Sequence, residues 1–353
     1  MLKNLTTTRV GGPANQMLTA TSEAELAQAV AAADSAGHNV LLIGGGSNLV
    51  ISDEGYAGVA VQIATRGLHL DEQPNGKVLL RAAAGESWDT TVEFSLVQGL
   101  SGLEALSGIP GNAGATPVQN VGAYGADVSQ SLAWVRVYDR QTSQVLKMQN
   151  AELEFAYRDS LIKRTSNNGS PRYVVLEVAF LLERDSQSAP IRYAELARQL
   201  NVEPGERADA LSVRQRVLEL RRSKGMVYDP KDADSHSTGS FFTNPIVEAS
   251  VLQSLPENAP NYPVAQEGFV KLSAAWLIDQ AGFTKGYGLE GTYGFSVAQG
   301  RASLSTKHTL AITNRGEASA NDIVAIARAV QAGVNERFGI MLVNEPLLIG
   351  LEL

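Results

Sequence analysis

The chain has 353 residues, 44% of them hydrophobic and 19% charged, with a formal net charge of −8 and no cysteine. The length carries two or three domains with ample core, and the acidic balance excludes a general nucleic-acid binder, which needs a basic surface, while leaving room for a local Arg/Lys cluster on one anionic ligand. The missing cysteines exclude disulfides, thiolate metal sites, a thiol nucleophile and cysteinyl attachment of a cofactor. The N-terminal M-L-K-N-L-T-T-T-R-V-G-G holds no apolar signal region. No run approaches the roughly 18 apolar residues of a membrane span. The expectation is a cytoplasmic protein with no membrane, nucleic-acid or obligate protein partner. Asn4-Leu5-Thr6 and Asn168-Gly169-Ser170 match the glycosylation pattern and, without a secretory signal, read as chance.

In chain order, Ser22–Gly37 predicts an alanine-rich helix, with Ser22 and Glu25 as a capping box and Gly37 as its stop. The apolar run Val40-Leu41-Leu42-Ile43 predicts a buried strand, followed by Gly44-Gly45-Gly46-Ser47-Asn48 and a further strand at Gly58–Ile63. Strands are expected at Lys77–Ala83, Ala133–Tyr138, Val145–Met148 and Tyr173–Leu182, with a helix near Trp88–Gln98. Ser212–Lys224 predicts a helix with Ser212 and Gln215 as its box. The last third predicts a helix at Ser273–Gln280, a strand at Thr309–Thr313, and a long helix Asn321–Phe338 capped by Ser319 and closed by Gly339. Two short apolar runs, Ile340–Val343 and Leu347–Leu353, end the chain.

Two glycine-rich stretches stand out. Consecutive amides at Gly44–Asn48, with no Cβ in the way, suit an anion, though a tight turn between strands is an equal reading. Residues 102–125 lack periodicity and are dense in small residues: Gly108, Pro110, Gly111, Gly114, Ala115, Gln119, Asn120, Gly122, Ala123, Tyr124 and Gly125. A backbone that lies directly on a flat polar ligand needs such a run, whereas a packed core does not; an ordinary surface loop is the other reading. The literal G-x-G-x-x-G at Gly286, Gly288 and Gly291 follows a helix rather than a strand and reads as a turn.

Residues 40–50 and 102–125 together resemble the two halves of the flavin module of the vanillyl-alcohol-oxidase / p-cresol-methylhydroxylase type. Four further stretches are similar to the UDP-N-acetylenolpyruvoylglucosamine reductase family of peptidoglycan synthesis. They are Ala156-Tyr157-Arg158-Asp159-Ser160, Gly239-Ser240-Phe241-Phe242-Thr243-Asn244-Pro245, Ala275-Trp276-Leu277-Ile278-Asp279, and Asn344-Glu345 before Leu348-Ile349-Gly350. The resemblance implies an α+β flavoprotein: FAD-binding subdomain 1 at 1–65, joined by a C-terminal strand at 342–353; FAD-binding subdomain 2 at 66–220; and a substrate-binding α+β domain at 221–341. It implies that the glycine loops above hold FAD, with Ser47 and Asn48 among the contacts. NADPH as co-substrate reduces the FAD, and the enolpyruvyl ether of UDP-N-acetylglucosamine then takes a hydride at C3 and a proton at C2.

The same resemblance assigns three catalytic residues. Arg158 meets the substrate carboxylate, although a surface ion pair with Asp159 is the bland reading of Y-R-D-S. Glu345 supports the enolate-like oxygen, against a solvated carboxylate before Pro346. Ser240 protonates C2, against a hydrogen-bonding residue at a strand start; a hydroxyl is a weak acid, adequate only for a strongly basic carbon centre with water excluded. Substrate contacts are implied for Tyr157, Tyr193, Arg221, Lys224, Asn244 and His308. For Arg221 and Lys224 the competing reading is charge at a helix C-terminus; for Tyr193, a tyrosine on an amphipathic helix; for His308, a hydrogen-bonded strand histidine. His38, His69 and His236 show no ligand spacing, so no metal is expected, and His69 follows Gly67-Leu68 rather than paired glycines, so the flavin is expected to be non-covalent. The chain departs from the family pattern at Pro346-Leu347, where Val-Arg is usual, and in the long, glycine-rich stretch 282–307. An oxidase on the same flavin module, acting on another alcohol or sugar, and a non-catalytic nucleotide-sugar binder are the rival readings.

Overall fold

The computed structural model describes residues 1–167 and 169–353; Asn168, in the second glycosylation-like triplet, lies outside the described residues. The first helix is Glu23–Ser35. The Ser22 side chain accepts from the Glu25 amide at 3.2 Å, and Glu25 Oε2 accepts from the Ser22 amide at 3.3 Å, closing the box that the sequence announces. Leu26, Val30 and Ala33, spaced on one helical face, are buried against a parallel sheet. That sheet has Tyr56–Ile63 in the middle, flanked by Ala14–Ala20 and Val40–Ile43. Tyr56–Ile63 and Val40–Ile43 are mostly buried and read as apolar runs because both their faces are covered. Ala14–Ala20, an edge strand with mostly exposed side chains, carries no such run and is missing from the sequence-based expectation.

A second, antiparallel sheet runs in the order Gln144–Gln149, Leu132–Asp139, Tyr173–Arg184, Val78–Ala83, Leu68–Glu72, with Leu100–Ser101 pairing the far end of Tyr173–Arg184. The helix Trp88–Val97 starts at Ser87, whose side chain accepts from the Thr90 amide. Trp88 and Phe180 are fully buried with ring centroids 5.4 Å apart, and each such buried side chain contributes about 1.5–3 kcal/mol. The expected Ser212–Lys224 helix is Ala210–Ser223, and its cap is Asp209, whose carboxylate accepts from both the amide and the hydroxyl of Ser212. Ser212 is the capped residue, not the cap, since a carboxylate reaches the third amide at least as well as a serine hydroxyl does.

The chain divides into two compact units: residues 14–46 with 56–227, which hold both of these sheets, and residues 1–13, 47–55 and 228–353. In the latter, Leu347–Ile349 pairs in parallel with Leu49–Ile51. A three-stranded sheet has Phe269–Leu272 between Ile246–Glu248 and Asn261–Pro263. The helix Ala320–Phe338 buries Ile323, Ile326, Ala327, Val330 and Val334, starts on a Ser319–Asp322 capping box and ends on Gly339 at φ 67. The helix expected at Ser273–Gln280 is Ala274–Gln280, capped by Ser273. The strand expected at Thr309–Thr313 is Ile312–Asn314, paired with Ala302–Leu304. Thr309 and Leu310 form the turn instead, and the Leu310 carbonyl is taken by the Phe241 amide at 2.7 Å. Among the described residues, no helix is long and apolar enough to cross a membrane.

Candidate active site

In the unit of residues 14–46 and 56–227, the strand Val40–Ile43 delivers Gly44–Gly46 onto the loop around Gly111. A Cβ on Gly45 would stand 2.6 Å from Gly111 Cα and 3.1 Å from Asn112 Oδ1. The two backbones reach each other only because neither carries a side chain there. Gly114 is held the same way: its amide donates to the Ala84 carbonyl at 3.0 Å, and a Cβ would meet Ala84 Cβ at 2.5 Å. Gly108 donates to Asp89 Oδ1 at 2.6 Å, and Arg214 fixes that carboxylate through bonds of 2.6 and 3.0 Å. Burial alone would raise the Asp89 carboxyl; Arg214 and the Gly108 amide outweigh it and hold it below its usual value. No sequence signal singles out Asp89, because its contacts lie 19 and 125 residues away.

The rest of the long loop is divided between display and support. Pro110 and Gln119 are half-buried, and Ala115 is exposed at the end of a short turn of helix. Gly122 and Ala123 pair with Asp127 and Ala126, turning through Tyr124 at φ 51 and Gly125 at φ 81. Asn120 is buried at φ 47; its amide donates to the Ala156 carbonyl at 3.1 Å and accepts from the Ser129 amide at 3.1 Å. It ties the loop to the Tyr157–Asp159 turn.

Arg158 is the residue those struts present. It sits at φ 54, a left-handed conformation costing a non-glycine residue about 1–2 kcal/mol. Its Nη2 donates to the Gly122 carbonyl at 2.8 Å, and Nη1 reaches the Asn120 carbonyl at 3.4 Å. Asp159 forms its ion pair with Arg164, which also pairs with Glu154 at 2.6 Å. The guanidinium thus lies along the glycine loop. Tyr157 is exposed, with Arg158 Cζ 5.4 Å from its ring centroid.

Arg221 is buried and donates through Nη2 to the Met226 carbonyl at 2.8 Å, just beyond its own helix, while its Nε has no hydrogen-bond partner among the described residues. Burial brings its pKa down to about 10, against the opposing pull of Tyr124 and Asp89. Burial likewise pushes the Tyr124 hydroxyl up to about 12. Tyr124 meets Tyr193 edge-on at 5.5 Å. Tyr193 precedes the helix Ala194–Leu200 as its N-cap, rather than lying on its face. Lys224 pairs with Glu195 at 3.1 Å.

In the unit of residues 1–13, 47–55 and 228–353, the backbone brings Ser240 and Glu345 onto adjacent segments. The Glu345 amide donates to the Phe241 carbonyl at 2.8 Å, the Thr243 amide to the Val343 carbonyl at 3.0 Å, and Phe242 bridges Asn344. Phe241 and Phe242 are buried with centroids 5.2 Å apart, so they root this segment in the core. Asn48 Nδ2 donates to the Glu345 carbonyl at 3.3 Å, and the Leu347 amide donates back to the Asn48 carbonyl at 3.0 Å. Asn244 Oδ1 accepts from the Ala274 amide at 2.9 Å, helping to cap the next helix. Ser47 opens the 47–55 segment of the same unit, and the His308 amide donates to Ser305 Oγ at 3.2 Å. Among the described residues, no group of three histidines or carboxylates is placed to hold a metal ion.

The glycine loops fit FAD. Two side-chain-free backbones meet at Gly45 and Gly111, and the run Gly44–Gly46, with no acidic residue in it, offers amides suited to a diphosphate. Residues 14–149 match the model of an FAD binding domain, and residues 229–349 match the C-terminal domain of UDP-N-acetylenolpyruvoylglucosamine reductase. The UDP-N-acetylenolpyruvoylglucosamine reductase of Streptomyces avermitilis is 52% identical over 363 residues, covering 100% of this chain and 94% of its own. The chain belongs to the UDP-N-acetylenolpyruvoylglucosamine reductase family. The reductase of Saccharopolyspora erythraea is 51% identical over 354 residues, covering 98% of this chain and 93% of its own. The crystal structure of the Thermus caldophilus reductase shares the fold, with a TM-score of 0.64 at 24% identity over 99% of this chain and 97% of that one. Family membership makes the chain an FAD-dependent oxidoreductase with NADPH as its reductant.

Proposed function

We propose that this reductase converts the enolpyruvyl ether of UDP-N-acetylglucosamine to UDP-N-acetylmuramate in the cytoplasm, with Ser240, Arg158 and Glu345 as catalytic residues. The observation that supports the reading is the Phe241–Glu345 backbone bond, which sets the segments of Ser240 and Glu345 side by side. Bound FAD, reduced by NADPH, supplies the hydride that reaches C3 of the enolpyruvyl group.

The chain's own residues handle the charge and the proton. As C3 becomes a methyl group, charge builds on C2 and its carboxylate. Arg158 receives that carboxylate; its guanidinium is already oriented by the Gly122 carbonyl, so little reorganisation is needed. Glu345, protonated, donates to the enolate-like oxygen. Ser240 Oγ gives its proton to C2, forming the C–H bond, and regains one from solvent through its neighbours. Phe241 and Phe242 keep the backbone beneath Ser240 rigid. Arg221 and Lys224 take the diphosphate, and Tyr157, Tyr193, Asn244 and His308 contact the nucleotide sugar. Lys224 is held meanwhile by Glu195.

The test is the visible spectrum of the purified protein under anaerobic conditions. Flavin bands bleached by NADPH and restored by the enolpyruvyl nucleotide support the reading. Bands restored only by oxygen favour an oxidase and overturn it.

A further inference from the structure

We propose that Asp234 is a positioning residue that aligns Ser240 and the His308 turn together; the inference rests on the reading of Ser240 as proton donor. Asp234 is 5% exposed and belongs to the short 3-10 turn Ala233–Ser235, six residues ahead of Ser240. Its carboxylate joins the turn that follows the strand Ala302–Leu304 to Arg315, the residue after the strand Ile312–Asn314. On the near side, Oδ1 accepts from the Thr306 amide at 2.8 Å and Oδ2 from the Thr306 hydroxyl at 2.6 Å. On the far side, Arg315 Nη1 donates to Oδ1 at 2.9 Å. One buried anion therefore ties the turn that carries Lys307 and His308 to the residue beyond the hairpin's second strand.

The same hairpin holds the segment leading to Ser240. The Asn314 amide donates to the His236 carbonyl at 3.0 Å, and the Phe241 amide to the Leu310 carbonyl at 2.7 Å. These bonds bracket residues 237–240, which bend through Gly239 at φ 73. Lys307 Nζ adds an ion pair with Asp232 at 2.6 Å. Ser240 thus takes its position from residues 310 and 314, and those take theirs from Asp234. Burial would push the Asp234 carboxyl up, but Thr306, Ser305 and Arg315 together hold it below its usual value, so the clamp stays ionised at neutral pH. A neutral amide keeps the shape and loses the charge that draws Arg315 and Thr306 inward.

The experiment uses the FAD-loaded full chain carrying Asp234→Asn. The expected result is NADPH reduction within about twofold of the parent, and reoxidation by the enolpyruvyl nucleotide slowed about ten- to a hundredfold, the usual consequence of a reacting group displaced by an ångström or less. The solvent deuterium isotope effect on reoxidation rises, because the misplaced proton donor becomes limiting. Amide exchange at 305–311 quickens independently of turnover. Reoxidation with the parent's rate and isotope effect overturns the proposal, as does an equal loss of both half-reactions. Should Asp234→Asn fail to hold FAD, Thr306→Val removes a single donor and decides the matter: about fivefold slower reoxidation supports the clamp, and none overturns it. Ser240→Ala, run alongside, separates the two claims. If it reoxidises normally, the proton-donor role falls and takes the positioning role with it. If it is inactive beside a parent-like Asp234→Asn, only the clamp falls.

Discussion

Gly45→Ala tests whether contact between the two glycine loops builds the flavin cradle. The added methyl would stand 2.6 Å from Gly111 Cα and 3.1 Å from the Asn112 carbonyl oxygen Oδ1. Gly111 is backbone at φ 117, so it cannot rotate out of the way as a side-chain tip would. The loops must part by roughly an ångström to restore normal contact, and overpacking of this kind typically costs about 1–3 kcal/mol. If FAD needs the closed loops, that cost appears as an affinity loss of about 5- to 150-fold. Gly44→Ala is the internal control for loop contact: its methyl would lie 3.5 Å from Asn112 Cβ, an ordinary contact, so the stability of its apoprotein should stay within about 0.5 kcal/mol of the parent. The assay is titration of the apoprotein with FAD, followed by flavin fluorescence, with thermal unfolding of both apo variants recorded in parallel. Parent-like affinity in Gly45→Ala, or equal losses of stability in the two variants, would refute the claim that loop contact shapes the site.

Three other outcomes are expected. Ser240→Ala keeps NADPH-driven bleaching but loses nearly all reoxidation by the enolpyruvyl nucleotide in stopped-flow measurements; parent-like turnover ends its catalytic claim. Arg158→Lys keeps a charge but loses the planar fork held by the Gly122 carbonyl; reoxidation should fall about a hundredfold with bleaching little changed, and equal loss of both steps counts against the assignment. Asp139, fully buried and bonded by Arg172 at 2.8 Å through both Nε and Nη2, is held down to about 2 by that side chain. Because the folded value lies below the unfolded one of 3.8, the stabilisation of about 2 kcal/mol is complete above pH 4 and lost as pH falls through about 2. Asp139→Asn should therefore unfold more easily at pH 7 by about that amount and show a flatter stability profile between pH 4 and 2; an unchanged profile in urea titrations contradicts the assignment.

Local rules explain what the sequence conveys of this fold. The helices Glu23–Ser35, Ala274–Gln280 and Ala320–Phe338 start on Ser22, Ser273 and Ser319, where a hydroxyl accepts from an amide three residues on. The buried strand Val40–Ile43 is legible because both its faces are covered and its apolar run is unbroken. The glycine loops are legible because approach of backbone to backbone demands glycine, and the family emerges from motifs whose order spans nearly the whole chain. Other features escape. The edge strand Ala14–Ala20 has no run or alternation to show, and the cap of the helix Ala210–Ser223 falls to Asp209 because two oxygens compete for one amide.

The sequence alone settled the helix starts at Ser22 and Ser319 and the glycine-rich backbone, since each depends on residues within a few positions of one another, and the order of its short motifs gave the resemblance. Only the tertiary structure decided that Asp159 pairs with Arg164, leaving Arg158 to lie along the Gly122 carbonyl, that Asn120, Asn48 and Asn244 brace neighbouring backbone, and that Asp234 ties the His308 turn to Arg315. Those pairings join groups up to 297 residues apart. A side chain's partner at that distance is chosen by how the chain packs, and short-range spacing carries no record of it.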